Sequence, residues 1–218
     1  MFEGGSLKLL FKQRLEGGYY GSALQAATTT HDVDIVQLLL EHGASIDVKG
    51  GVHGSVLQAA AWGGNKEIAS ILLDLGADIN EQGGEAGSAL QAAMPFCPER
   101  FIEFLLDRGA DVNLQGGEEG NALRAAVLWR RAHVIKLLLD RGADMHACQP
   151  GKYGSAFQLA LMKEKLEIIR LFLDHGKNMN PKDKWYKEAV QIARFPGKER
   201  IAELLLSWKI LAEFSSES

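Results

Sequence analysis

The side chains of this 218-residue chain with most capacity for chemistry are six histidines, two cysteines and a basic–aromatic cluster of Arg124, Trp129, Arg130 and Arg131. Their spacing argues against catalysis and against metal. Cys97 and Cys148 belong to no CxxC or Cys/His ligand pattern, and the chain has no H-x-E string, nucleophile elbow or P-loop. His42 and His175 stand just before glycines, where a cation complements the negative end of a helix. His146 takes the place of an Asn in a recurring string, His31 and His133 lie at or near turns, and His53 stands alone. In "MPFCPERF", Pro95 and Pro98 bracket Cys97 in a stiff turn that presents Phe96, and no neighbouring base activates the thiol. The expectation is a protein that is not an enzyme and holds no cofactor or metal.

Composition narrows the class further. With 46% hydrophobic and 24% charged residues, the chain reads as an ordinary soluble globular protein. A net charge of −4 and a pI near 5.9 speak against a general nucleic-acid binder. No apolar run is long enough to cross a membrane, and "MFEGGSLKLLFKQRLEGG" lacks a signal-peptide layout. Sparse cysteine fits a reducing compartment, the cytoplasm or the nucleus.

The elements that carry these residues declare themselves by repetition. "GSALQAA" from Gly21 returns as "GSVLQAA" at Gly54, "GSALQAA" at Gly87, "GNALRAA" at Gly120 and "GSAFQLA" at Gly154. The steps are 33, 33, 33 and 34 residues. Gly43, Gly76, Gly109, Gly142 and Gly176, in strings such as "LLDRGADVN", keep the same steps. Two ladders sharing one period and one insertion define a repeat protein.

Each unit reads physically as two helices. Ser22, Ser55, Ser88, Asn121 and Ser155 are placed to accept a backbone N–H at a helix start. "ALQAA" follows as a short helix with small faces, then a turn such as "WGGNKE". A second helix over 67–75 aligns Ile68, Ile71, Leu72 and Leu75 on one stripe, and Gly76 stops it. No unit can bury both of its apolar stripes alone, so the core forms between stacked units.

These strings resemble the ankyrin repeat. Its T-P-L-H-x-A-A appears here as S-A-L-Q-A-A, and its G-A-D-V-N stands intact at Gly109 to Asn113. The Ser, Ala and Gln replacements, with "QGG" at 82–84 and 115–117, resemble the variety found in filamentous fungi. There such arrays often follow a nucleotide-binding signalling domain, which implies a piece of a larger protein. The implied fold is an all-α solenoid of about six helix-turn-helix units joined by β-hairpin-like loops. The expected plan is a capping helix over 1–16, an array over 17–214 and a disordered tail at 215–218. Its units fall at about 17–49, 50–82, 83–115, 116–148, 149–182 and 183–214.

The resemblance also implies an L-shaped unit whose loop tips and inner-helix ends line a concave face, the usual site of partner binding. Positions that vary there hold three of the four Trp, all four Tyr, and Phe96. The candidate contacts are Tyr20, His53, Trp62, Glu85, Phe96, Glu118, Glu119, Arg124, Trp129, Arg130, Tyr153 and Trp185. Large rigid rings at free positions suit a contact stripe, or else they pack sideways to tighten the stack. Trp208 on the last helix reads as core or cap. Arg124 replaces the Gln of the other units, a place where the resemblance implies a side chain that ties neighbouring loops. It either reaches a loop carbonyl or points into the groove, where with Trp129 and Arg130 it suits a carboxylate or phosphate. The expected partner is a protein or peptide bound by a monomer, with a small-molecule ligand in the groove as the alternative, and with neither nucleic acid nor membrane.

Overall fold

Each repeat starts on the same polar joint. In the computed structural model, which describes residues 20–147, 154–176 and 184–215 (without the side chains of 184, 185 and 209–215), Ser22, Ser55, Ser88 and Ser155 cap helices. Their hydroxyls accept the N–H of Gln25, Gln58, Gln91 and Gln158. Asn121 Oδ1 accepts that of Arg124 at 2.8 Å. At Ser55 and Ser155 the Gln side chain returns the bond to the cap's own N–H, completing a capping box.

Among the described residues the helices form six inner–outer pairs, and these starts open the first five. They are α1 Ala23–Thr28 with α2 Val33–Glu41, α3 Val56–Gly63 with α4 Lys66–Asp74, and α5 Ala89–Ala92 with α6 Glu99–Asp107. There follow α7 Ala122–Leu128 with α8 Ala132–Asp140, α9 Ala156–Met162 with α10 Leu166–His175, and α11 Lys184–Ala193 with α12 Glu199–Ser215. No described segment forms a strand. Isolated antiparallel bridges at Gly50–Gly54, Gly83–Gly87 and Gly116–Gly120 close hairpin-like loops instead.

The chain forms two compact units, residues 1–125 and 126–218, with α7 running through the division. In the first unit, Ala26, Ala27, Ala59, Ala60, Ala92 and Ala93 are buried and let inner helices approach closely. Val36, Ile68, Leu72, Ile102 and Leu105 supply the apolar faces of its outer helices. The second unit buries Phe157 against Phe172, ring centroids 5.9 Å apart, with Ile135, Leu138 and Ile169 in the same core. Trp208 is buried and meets Tyr186, as expected of a core or cap residue.

Between inner and outer helices the chain turns through one left-handed residue. It is His31, Gly64, Arg130, Glu164 or Gly197, each one repeat from the next or two repeats apart. Cys97 holds that register in the third repeat without a positive φ, because the following Pro98 excludes helical geometry from the residue before it. Cys97 is buried, and its Sγ donates to Ala61 O at 3.0 Å, so it is a packing residue between repeats.

Gln side chains lock the inner helices α1, α3 and α5 to the loop of the next repeat. Gln25 Nε2 donates to Gly50 O and Gly54 O. Gln58 Nε2 donates to the carbonyls of Glu81, Gly83 and Gly87 at 2.9–3.2 Å, and Gln91 Nε2 to Gly116 O at 2.7 Å. The expected capping helix over 1–16, the loop tip at Tyr153 and residues 216–218 of the tail lie outside the described residues. So does the ring of Trp185, whose backbone begins α11.

Candidate interaction surface

In the first unit the loop tips are joined from repeat to repeat by backbone bonds. Glu85 N–H donates to Val52 O, and Glu118 N–H donates to Glu85 O, both at 2.9 Å. This close approach is why the tips carry glycine. A Cβ on Gly87, which has φ +93°, would sit 2.5 Å from Gly117 N. The ladder fixes the height of every side chain displayed beside it.

Rings occupy that display. Tyr20 faces His53 at 6.1 Å, His53 faces Trp62 at 5.6 Å, and Trp62 meets Phe96 edge to face at 5.5 Å. Four residues far apart in sequence thus form one continuous row. The row is anchored at one side and open at the other: His53 is 9% exposed, Trp62 39% and Phe96 67%. Phe96 owes its position to the Pro95–Pro98 turn, which replaces the polar corner of other repeats.

Burial pushes His53 below its ordinary pKa of 6.5, and the Glu85 carboxylate opposes that shift in part. The imidazole is therefore neutral near pH 7 and behaves as another ring of the row. Glu85 and Glu118 are exposed and Glu119 is half-buried at the adjacent tips. No ion pair among the described residues involves any of the three.

Arg124 is 6% exposed and belongs to the joint at the start of α7 rather than to the open surface. Its register is that of Gln25, Gln58 and Gln91, which spend their side chains on the same kind of joint.

The second unit has its own exposed corner. Trp129 is 44% exposed at the end of α7, followed by exposed Arg130 in the left-handed corner. Burial, then the nearby cations Arg130 and Lys163, hold Lys165 below its ordinary pKa. Lys198 ties the next corner by pairing with Glu164 and donating to Met162 O at 3.3 Å.

Two further exposed residues are not among the candidate contacts. Leu128 and Met162 occupy the register of Trp62 in later repeats and are exposed at their inner-helix ends. The ladder of repeat positions sets both among the variable inner-helix ends, where aliphatic type alone did not mark them as contacts. A cavity of about 510 Å³ lined by Leu166, Arg170, Arg200, Glu203 and Leu204 lies between α10 and α12, apart from any predicted contact. Among the described residues no cluster of His, Cys, Asp or Glu is arranged to hold a metal, and no helix is long and apolar enough to cross a membrane.

Fold and surface together define a helical-repeat scaffold that displays its variable side chains at loop tips and inner-helix ends. Family models described as "Ankyrin repeats (3 copies)" and "Ankyrin repeats (many copies)" match residues 3–83 and 89–139. The chain belongs to the ankyrin-repeat family, whose repeats generally mediate protein–protein interaction. No curated protein matches the chain.

Proposed function

We propose that this chain is a protein–protein interaction module that holds a segment of a partner along the loop tips and inner-helix ends of its first three repeats. The observation that carries this reading is the row Tyr20–His53–Trp62–Phe96, continuous in ring contact yet open to solvent at Trp62 and Phe96. Rings that merely tightened the stack would be covered by it. Rigid aromatic side chains offer large contact area for little lost conformational freedom, which is why they dominate binding hot spots. Glu85, Glu118 and Glu119 flank the row as polar rim, and Arg124 supports it from the buried joint. Trp129 and Arg130 supply contacts on the second unit's own surface, with Tyr153 and Trp185 in the corresponding places of later repeats.

The S-A-L-Q-A-A form of the repeat supports a further reading. The array, running over 17–214 behind a cap at 1–16, is the recognition part of a larger fungal signalling protein working in the cytoplasm or nucleus.

Panning a displayed peptide library against the wild-type chain and against a Trp62→Ala/Phe96→Ala variant tests the proposal. Peptides enriched on the wild type should lose binding to the variant while its circular dichroism stays unchanged. Equal enrichment on both would sink the assignment of this face.

A further inference from the structure

The overall charge of −4 conceals a division along the chain. Residues 20–125 hold fifteen Asp and Glu against five Lys and Arg, whereas residues 126–218 hold eleven against sixteen. Three of the five cations in residues 20–125 are already committed: Lys49 to Glu81, Arg108 to Asp74, and Arg124 to the interior. Excess charge of one sign builds a potential over the whole unit, which steers and holds partners of the opposite sign.

The excess is present at the aromatic row itself. Backbone bonding sets the tips of Glu85 and Glu118 side by side, and Glu119 follows on the same loop. The Glu85 carboxylate acts on His53, a member of the row, and the faces of aromatic rings also attract cations through their quadrupole. His53, neutral near pH 7, adds no opposing charge.

We infer that the segment bound on this face is rich in Lys or Arg. One cationic side chain lies against the open indole of Trp62, and flanking cations meet Glu85, Glu118 and Glu119. The inference rests on the docking face proposed above and adds the chemistry of its occupant. An acidic segment would meet uncompensated carboxylates, and a purely apolar one would leave them without counter-charge.

Fluorescence anisotropy decides it, with a labelled dodecapeptide of alternating Arg and Ser and its Glu and Gln counterparts. The Arg peptide should bind wild type, and the other two should not. Glu85→Gln/Glu118→Gln/Glu119→Gln should weaken it about tenfold at low salt, and about 0.5 M salt should abolish the difference. Removing equal charge from the outer helices by Glu41→Gln/Glu67→Gln/Glu99→Gln should have a much smaller effect. Trp62→Ala, which leaves net charge unchanged, should also weaken binding, separating the site from diffuse attraction to an acidic unit.

Binding of the Gln or Glu peptide as tight as that of the Arg peptide, no binding of any, or equal loss from both triple variants overturns the inference. The docking face itself stands or falls separately, on whether library-selected peptides of any charge depend on Trp62 and Phe96. Sedimentation velocity on the free chain covers the competing occupant, a second copy. A salt-sensitive dimer disrupted by Trp62→Ala would replace the peptide by self-association.

Discussion

Trp62 and Phe96, one repeat apart, meet with ring centroids 5.5 Å apart and planes at 87°, the edge-to-face geometry that the ring quadrupole favours. Yet both keep substantial surface open to solvent. Stability and binding should therefore separate at this pair. Phe96→Ala should change unfolding free energy by less than about 0.5 kcal/mol and Trp62→Ala by about 1 kcal/mol in urea titrations. Both should cost far more in affinity for peptides selected on the wild type.

Gln58 is the opposite case, structural and hidden. It donates to three loop carbonyls and completes the Ser55 capping box. Gln58→Ala removes that donor from all three carbonyls, although Gly83 O and Gly87 O keep backbone N–H partners, so a loss of about 2–3 kcal/mol is expected. Urea denaturation measures it, and hydrogen exchange should show the loop around Gly83 opening first.

Two glycines with nearly equal φ separate backbone strain from crowding. Gly76 (φ +96°) has open space around a built Cβ, whereas Gly87 (φ +93°) would press its Cβ into Gly116 and Gly117. Gly76→Ala should cost only the left-handed strain, about 1 kcal/mol, and Gly87→Ala distinctly more. Equal losses would show that the loop ladder yields easily.

Buried Cys97 should be unreactive in the folded protein. On a Cys148→Ser background, its alkylation by iodoacetamide should proceed only through unfolding and accelerate with urea. Rapid labelling in native buffer would contradict the packing against Ala61.

Burial lowers the pKa of His53 in the folded state, so the unfolded chain binds its proton more readily. The stability this contributes is fully present above the ordinary value of 6.5 and is lost as pH falls below it toward the lowered one. Wild type should therefore lose more stability than His53→Gln between neutral and mildly acidic pH. Parallel losses would mean that the ring titrates normally.

The repeat period, the Ser and Asn caps, the Gln joints and the glycine stops were legible in the sequence, because a stack reuses one local solution and writes it out each time. Such features depend on neighbours three or four residues away, or on the same position one repeat later. Singular features were harder to read. Arg124 stood out as a departure in an aligned string, but its burial depends on what packs around α7. Leu128 and Met162 stand at variable positions, but their exposure at the inner-helix ends depends on how the repeats pack.

What the sequence determined by itself is the scaffold: the helical pairs, their order and the positions left free to vary. What the tertiary structure decided is which of those free residues act together. Tyr20, His53, Trp62 and Phe96 share no motif and span more than two repeats. They become one surface because backbone bonds between loop tips and close Ala-to-Ala packing set successive repeats at ring-contact distance. Spacing along a chain records which positions are equivalent, whereas contact between side chains depends on how closely the repeats stack.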